Sequence, residues 1–300
     1  MTTWGVVATV KAPEAELLAF VAHHLALGAS RVWLYFDDPT DPAHARLSRL
    51  PKVKAVRCTS FYWALRGGRP EVLTQRQISN ALHAQRRCRL DWLAHIDADE
   101  FIHAPAPVAD LLSQVPAEIP NVMMAPFEAL HDSELPDDIY TARRFRGPLG
   151  KAHPDLHKAV FGPMAEVVAK GNLGHIIGKS FGRIGFPKAK MGLHSIFVDG
   201  NRLRDPFHPQ LRILHFHAQD REVWRRQLPF RLQNGAYSYD TENRLRGHLQ
   251  GASDAVIDDF YQTVMTLTPE KAALLEAHDL LITTDLGLRT KVADLLAGRL

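Results

Sequence analysis

The first sixty residues alternate between short apolar runs and amphipathic stretches. "WGVVATV" (4–10) is continuous, apolar and rich in β-branched residues, the pattern of a buried strand. Pro13 suits a first helical turn, and Leu17, Leu18, Val21 and Leu25 recur at helical spacing until Gly28 stops them. "RVWLYF" (31–36) reads as a second strand, ending in "DDPTDP", a loop of aspartates and prolines. A short helix over 43–50 and a third strand, "VKAVR" (53–57), follow. Strand–helix alternation of this kind predicts a doubly wound, mostly parallel α/β sheet of Rossmann-like type, flanked by helices.

The next helix is expected over 73–89, with Ile78, Ala81 and Leu82 inward and Arg76, Arg86 and Arg87 at polar positions. It delivers the chain to "DWLAHIDADEFI" (91–102), an apolar strand that ends in three carboxylates. Beyond it come a helix near 108–115 and a strand, "NVMMAPF" (121–127). Residues 128–190, rich in Gly, Pro, His and Lys, read as loops with short strands. The last third reads as helical, over 220–232, over 254–267 and from Pro269 onward. The expected organisation is a large domain over 1–232 and a helical C-terminal extension over 233–300.

Three acids at the mouth of a strand repel one another unless a cation offsets them. On an extended backbone residues i and i+2 share a face, so Asp97 and Asp99 would present two carboxylates together. Hard oxygen donors suit Mg²⁺ or Mn²⁺, which keep positions open for water and phosphate. Ligands of open α/β sheets bind beyond the carboxyl ends of the strands, which is where this pair falls.

Composition narrows the field. A 46% hydrophobic and 23% charged chain is globular, and a net charge of +3 mildly favours anionic ligands without pointing to nucleic acid. Two cysteines, Cys58 and Cys88, form no motif, which fits a reducing compartment. No run approaches a membrane span and the N-terminus lacks a signal pattern, so the cytoplasm is the expected location, with peripheral attachment through a surface patch left open. Sixteen histidines raise the question of zinc, but there is no H-E-x-x-H, and His153 and His157 are separated by Pro154. His23 and His24 read as surface or packing residues. His194 and His215 follow strand-like runs and are stronger candidates for a site.

"LLAFVAHHLALGASRVWLYFDDPTD", "WLAHIDADEFI" and "LHFHAQDREVW" together resemble the glycosyltransferase family 2 group with a GT-A fold, in its D-x-D-E-F branch. The resemblance covers roughly residues 4–232 and is densest up to Ile102. It implies transfer of a sugar from a nucleotide-diphosphate donor, UDP-sugars being favoured, to a hydroxyl of a glycan or other acceptor, with inversion. It implies Mn²⁺ or Mg²⁺ on Asp97 and Asp99, with His215 as an auxiliary ligand. Lys11 matches the end of the family's first strand, but the expected Asn is Ala12 and the acid comes one place late, at Glu14. Thr9 to Glu14 and Asp37 with Asp38 would enclose the nucleoside. Arg76 and Asn80 fall where the preceding helix faces the donor, and Lys179 in "GKSFGR" matches a basic position that would meet the diphosphate as a mobile point charge. Inversion requires a carboxylate to take the acceptor's proton. Glu128 is the candidate, with Asp132 and Glu100 as rivals, and Asp99 belongs to the same catalytic cluster.

Each residue also has a plain structural reading. Asp37 and Asp38 suit a turn, Arg76 a solvated helix face, and Glu14 the positive start of its helix. Two other functions remain open. A nucleotidyltransferase would use a similar acidic site, but "KAPEAE" lacks the glycine-rich basic loop expected after the first strand. A degenerate domain could bind a sugar nucleotide or glycan without turnover; the Ala12 departure favours it, and the intact Asp97–Asp99 pair opposes it.

Overall fold

The computed structural model describes residues 1–132, 135–136, 138, 140–233, 237 and 239–300. Strand β1 (Trp4–Val10) leads to helix α1 (Glu14–Ala26), β2 (Arg31–Phe36), α2 (Ala43–Leu47), β3 (Val53–Arg57), α3 (Ser60–Ala64) and α4 (Leu73–Arg87). Then come β4 (Trp92–His95), β5 (Glu100–His103), α5 (Val108–Ser113), β6 (Asn121–Asp132), β7 (Arg144–Arg146), α6 (Pro154–Phe161) and β8 (Lys179–Arg183). Short strands β9 (Ala189–Met191), β10 (Ile196–Val198) and β11 (Asn201–Arg202) precede β12 (Phe207–His215). The rest is α7 (Arg221–Arg231), α8 (Tyr239–Leu249), α9 (Asp254–Met265), β13 (Thr266–Leu267), α10 (Pro269–Glu276), β14 (Leu281–Thr283) and α11 (Leu288–Leu296).

The chain divides into two compact units. The first comprises Met1–Ala125, Gly178–Ile213 and Gly287–Leu300; the second comprises Pro126–Ile177 and Leu214–Leu286. The segment 233–300 is therefore shared between them, with α11 in the first unit, packed on α1.

In the first unit β3, β2, β1 and β4 lie side by side and parallel, with β8 antiparallel beyond β4. β1 is buried along nearly its whole length, as a central parallel strand covered on both faces must be. Gly5 is obligatory there: a Cβ would lie 2.6 Å from the Arg31 carbonyl and 2.8 Å from the Trp33 ring. Valines, tryptophans and tyrosines from these strands form one core with Tyr62 and Trp63 of α3 and Ala81 and Ala84 of α4. The chain runs from β1 outward to β3 and then returns to β1's other side as β4. That reversal of strand order makes the carboxyl ends of β1 and β4 a topological switch point, the place where open α/β sheets bind ligands.

In the second unit the end of β6 pairs with β7, β7 with β14, and β13 with His131 and Asp132. Its core gathers Leu156, Phe161, Trp224, Phe260 and Tyr261 from α6, α7 and α9. The stretch expected as loops thus contains α6, and β6 continues past Phe127 to Asp132. No helix among the described residues is long and apolar enough to cross a membrane.

Candidate active site at the end of β4

The strand expected through Ile96 stops at His95, and the acids that follow form a tight turn. The Glu100 N–H donates to the Asp97 carbonyl at 3.1 Å, and the Asp97 N–H donates to Glu100 Oε2 at 2.7 Å. The backbone is therefore not extended from 97 to 99, and the expected i, i+2 alignment of Asp97 with Asp99 does not hold. Asp97 and Glu100 converge instead, and what brings them together is Lys179.

Lys179, the first residue of β8, is fully buried, with Nζ 2.6 Å from Asp97 Oδ2 and 3.3 Å from Glu100 Oε2. Burial alone would push its pKa down, but the two carboxylates outweigh that and hold it raised. Burial alone would likewise raise Asp97; the ammonium beside it holds the carboxyl well below the usual carboxylate range. Lys179 is thus a fixed internal counter-ion, not the mobile point charge expected from sequence. Glu100, with no exposed surface, is committed to the same bridge and to the Asp97 N–H, so it is poorly placed to act as a base. Gln77 Nε2 donates to Asp97 Oδ1 at 2.6 Å. Asp99 stays half-buried on the turn.

The inner face of α4 explains Gln77. Arg76, Gln77, Asn80 and His83 are buried, while Ile78 and Leu82 are only partly so, which reverses part of the expected orientation. Arg76 grips Asp37 through both oxygens, at 2.9 and 3.2 Å, and also donates to the Pro70 and Glu71 carbonyls. Arg69 adds a third contact to Asp37 at 2.9 Å. Asn80 has no exposed surface: it donates to Thr9 Oγ1 at 2.9 Å and accepts from the Tyr62 hydroxyl at 2.7 Å. Arg76, Asn80 and Asp37 therefore brace the ends of β1 and β2. The groups presented outward are Asp38, whose oxygen caps Thr40, and Lys11. The Thr40 hydroxyl and amide, joined by the charge of Lys11, keep Asp38 below its ordinary carboxylate value. Glu14 pairs with Arg46 at 2.9 Å on the surface.

A scan against protein-family models finds no match, and a search of curated proteins finds none either. Among solved structures the chain is similar to a CMP:2-keto-3-deoxy-manno-octonic acid synthetase complexed with CTP, at 14% identity and a TM-score of 0.28. That match covers 43% of this chain and 54% of the synthetase, so the chain spans about half the synthetase's length. It is also similar to HddC from Yersinia pseudotuberculosis, at 10% identity and a TM-score of 0.36, over 77% of this chain and 100% of that one. Likenesses this distant carry no argument about activity.

The second unit holds the remaining expected residues. Glu128, the candidate base, is 1% exposed and saturated with donors: Arg146 at 3.0 Å, the Leu173 N–H at 3.0 Å and the Gly174 N–H at 2.6 Å. A carboxylate held this way has the geometry of a structural brace, joining Arg146 to the backbone at 173–174. His215 ends β12, with His175 on one side and His217 on the other, ring centroids 5.1 Å apart in each pair. A side chain at Gly174 would press within 2.8 Å of His215 Nδ1, so this cluster requires glycine. Burial, then the nearby Arg231 charge, drives His217 well below the ordinary histidine range. It stays neutral, and its Nε2 faces an Arg231 nitrogen at 3.3 Å. In the first unit His194 contacts the Gly178 carbonyl through Nδ1 at 2.9 Å.

Sequence reasoning missed Gln77, Arg69, Arg146 and His175. For Gln77 a signal existed: positions 76, 77, 80, 83 and 84 form a helical stripe, mostly polar, and a polar stripe can face inward when it braces a site.

Proposed function

We propose that the chain is an enzyme acting on a nucleotide-activated sugar, which transfers the sugar to an acceptor hydroxyl. The observation that carries this reading is the acidic turn Asp97–Glu100 at the switch point where strand order reverses. Its donors are carboxylate oxygens with no thiolate among them, which fits Mg²⁺ or Mn²⁺. Asp99 would hold such an ion, with Asp97 contributing the lone pairs that Gln77 and Lys179 leave over. Bound there, the ion would neutralise the donor's diphosphate and the charge on its leaving oxygen.

The chain's own residues do the rest. Lys179 keeps Asp97 ionised and fixed, so the turn needs no rearrangement to receive the donor. Arg76 and Arg69 clamp Asp37, giving the nucleoside a stiff wall. Asp38 is left to accept hydrogen bonds from ribose hydroxyls. A UDP-sugar donor and a glycan acceptor are the favoured pair.

Nucleotidyl transfer onto a sugar is the second reading, because an acidic turn holding a hard divalent ion at the same strand end would serve it equally. Against it, α1 opens on Pro13 with Glu14 and Glu16 in its first turn, so that helix start repels a triphosphate. The separating experiment offers UDP-, GDP-, CMP- and dTDP-sugars with Mn²⁺ in one set, and nucleoside triphosphates with free sugars in another. Release of nucleotide from a nucleotide-sugar supports the first reading, and pyrophosphate release supports the second. Silence in both sets, with no ligand-induced stabilisation, removes the enzyme reading.

A further inference from the structure

His23 and His24 of α1 are buried, at 1% and 0% exposure, although an apolar side chain would fill the same space without the cost of burying a polar ring. Both rings reach the same residue. His23 Nε2 lies 2.7 Å from the Ile102 carbonyl oxygen, and the Ile102 N–H points at His24 Nε2 at 3.3 Å. A carbonyl only accepts, so His23 must carry a proton on Nε2; an N–H only donates, so His24 Nε2 must be bare. The second nitrogens agree. His24 Nδ1 donates to the Phe20 carbonyl at 2.8 Å, and His23 Nδ1 lies 3.2 Å from the Lys291 ammonium of α11, which can only donate.

A relay results in which every donor and acceptor is determined. It runs from Lys291 through His23 to the Ile102 carbonyl, and from the Ile102 N–H through His24 to the Phe20 carbonyl. Burial holds both imidazoles neutral, the form these bonds require. An extended residue sends its N–H and C=O to the same side, where a neighbouring strand can exchange both bonds with it. At Ile102 the two imidazoles supply the donor and the acceptor that a strand would. The Phe101 ring packs on the same pair, its centroid 5.2 Å from His23 and 6.1 Å from His24. Strand β5 opens on Glu100, whose carboxylate closes the acidic turn on Lys179 and on the Asp97 N–H. The imidazole pair therefore fixes the strand on which that turn ends.

We propose that His23 and His24 are positioning residues for the acidic turn at Asp97–Glu100, with Lys291 fixing the His23 tautomer so that α11 helps set how tightly the turn holds its ligand. The inference rests on the reading of that turn as a site for a hard divalent ion. Packing alone would make a different demand. If only volume counted, leucine would serve at position 23 at least as well as glutamine. The Ile102 carbonyl instead needs a donor, which glutamine keeps and leucine lacks.

Calorimetric titration of Mn²⁺ into the full chain, with amide hydrogen exchange at Asp97 and Glu100, tests it. His23→Leu should weaken Mn²⁺ binding about tenfold and lower the protection of the two amides by a similar factor, as loss of support behind a ligand does. His23→Gln should keep both within about threefold of the wild type. Lys291 is only half-buried, so Lys291→Met serves if His23→Leu does not fold. It should weaken Mn²⁺ binding about threefold, and Lys291→Arg, which keeps a charged donor, should restore it. Imidazole nitrogen resonances of the wild type should show His23 protonated on Nε2 and His24 on Nδ1. Equal losses in His23→Leu and His23→Gln overturn the proposal, as do the opposite tautomer at His23 and binding and exchange unchanged in both His23→Leu and Lys291→Met. A wild-type chain that takes up no Mn²⁺ removes the reading of the turn instead, and exchange at Asp97 and Glu100 in the same variants then decides the relay by itself.

Discussion

Replacing Arg146 separates a brace from a base in the second unit. Arg146 and Glu128 are 2% and 1% exposed, and the guanidinium also donates to the Val264 carbonyl at 2.8 Å and lies 4.5 Å over the Phe161 ring. Arg146→Met keeps the stem and its contact with Phe161 but leaves a buried carboxylate with only two backbone N–H partners. Breaking a buried pair by removing one partner costs about 3–5 kcal/mol. The Leu173 and Gly174 amides bond directly to that carboxylate, so amide hydrogen exchange reads the loss locally. At about 3 kcal/mol their protection should fall roughly a hundredfold or more. Combining Arg146→Met with Glu128→Leu should recover part of the global stability, because no uncompensated charge is left behind, but not the protection of the Leu173 and Gly174 amides, which lose their acceptor. Glu128→Gln, assayed where it is still folded, should keep its turnover. A protection change below about tenfold, or a Glu128→Gln enzyme that is stable yet dead, would refute the reasoning and return Glu128 to the chemistry.

Further outcomes follow from the same geometry. Lys179→Met should destabilise the first unit by about 3–5 kcal/mol in chemical denaturation, and adding Asp97→Asn should restore part of it; a loss under about 1 kcal/mol would show the bridge to be of little weight. Asp37→Asn should weaken the fold by about 2–3 kcal/mol and raise KM for the donor more than it lowers kcat, since the wall it forms is used equally in ground and transition states. His23 and His24 are buried against Phe101, with the Lys291 ammonium of α11 3.2 Å from His23 Nδ1. Burial drives His23 well below the ordinary value and His24 down to about 3, so both must be neutral in the folded chain. Their contribution is complete above about pH 6.5 and is lost as pH falls toward those depressed values, so exchange protection of α11 should drop between about pH 6 and 4; unchanged protection across that window would contradict it.

The parallel strands and α1 were legible because a strand buried on both faces is a continuous apolar run, and a helix against it repeats every three or four residues. The acidic turn was located by sequence but misjudged in shape. Asp-Ala-Asp says nothing about where a strand ends, and the side chain that shapes the turn, Lys179, is 82 residues from Asp97 in sequence. Arg76 and Asn80 were placed toward the donor by the resemblance alone, and their contacts with Asp37, Thr9 and Tyr62 lie too far along the chain to be read from the helix pattern. Glu128 looked like a free loop acid since nothing in "NVMMAPF" shows that β6 continues to Asp132 or that Arg146 lies opposite it. The two-unit division was illegible for the same reason: it follows contacts between distant segments, such as α11 on α1.

The turn at Asp97–Glu100 is proposed to receive a nucleotide diphosphate together with a hard divalent ion. Calorimetric titration of UDP into the protein, with Mn²⁺ and then with excess chelator, tests it most directly. UDP should bind with Mn²⁺, bind at least about tenfold more weakly under chelation, and show the same loss in Asp99→Asn at an unchanged melting temperature. UDP affinity that is indifferent to both chelator and Asp99→Asn would contradict it.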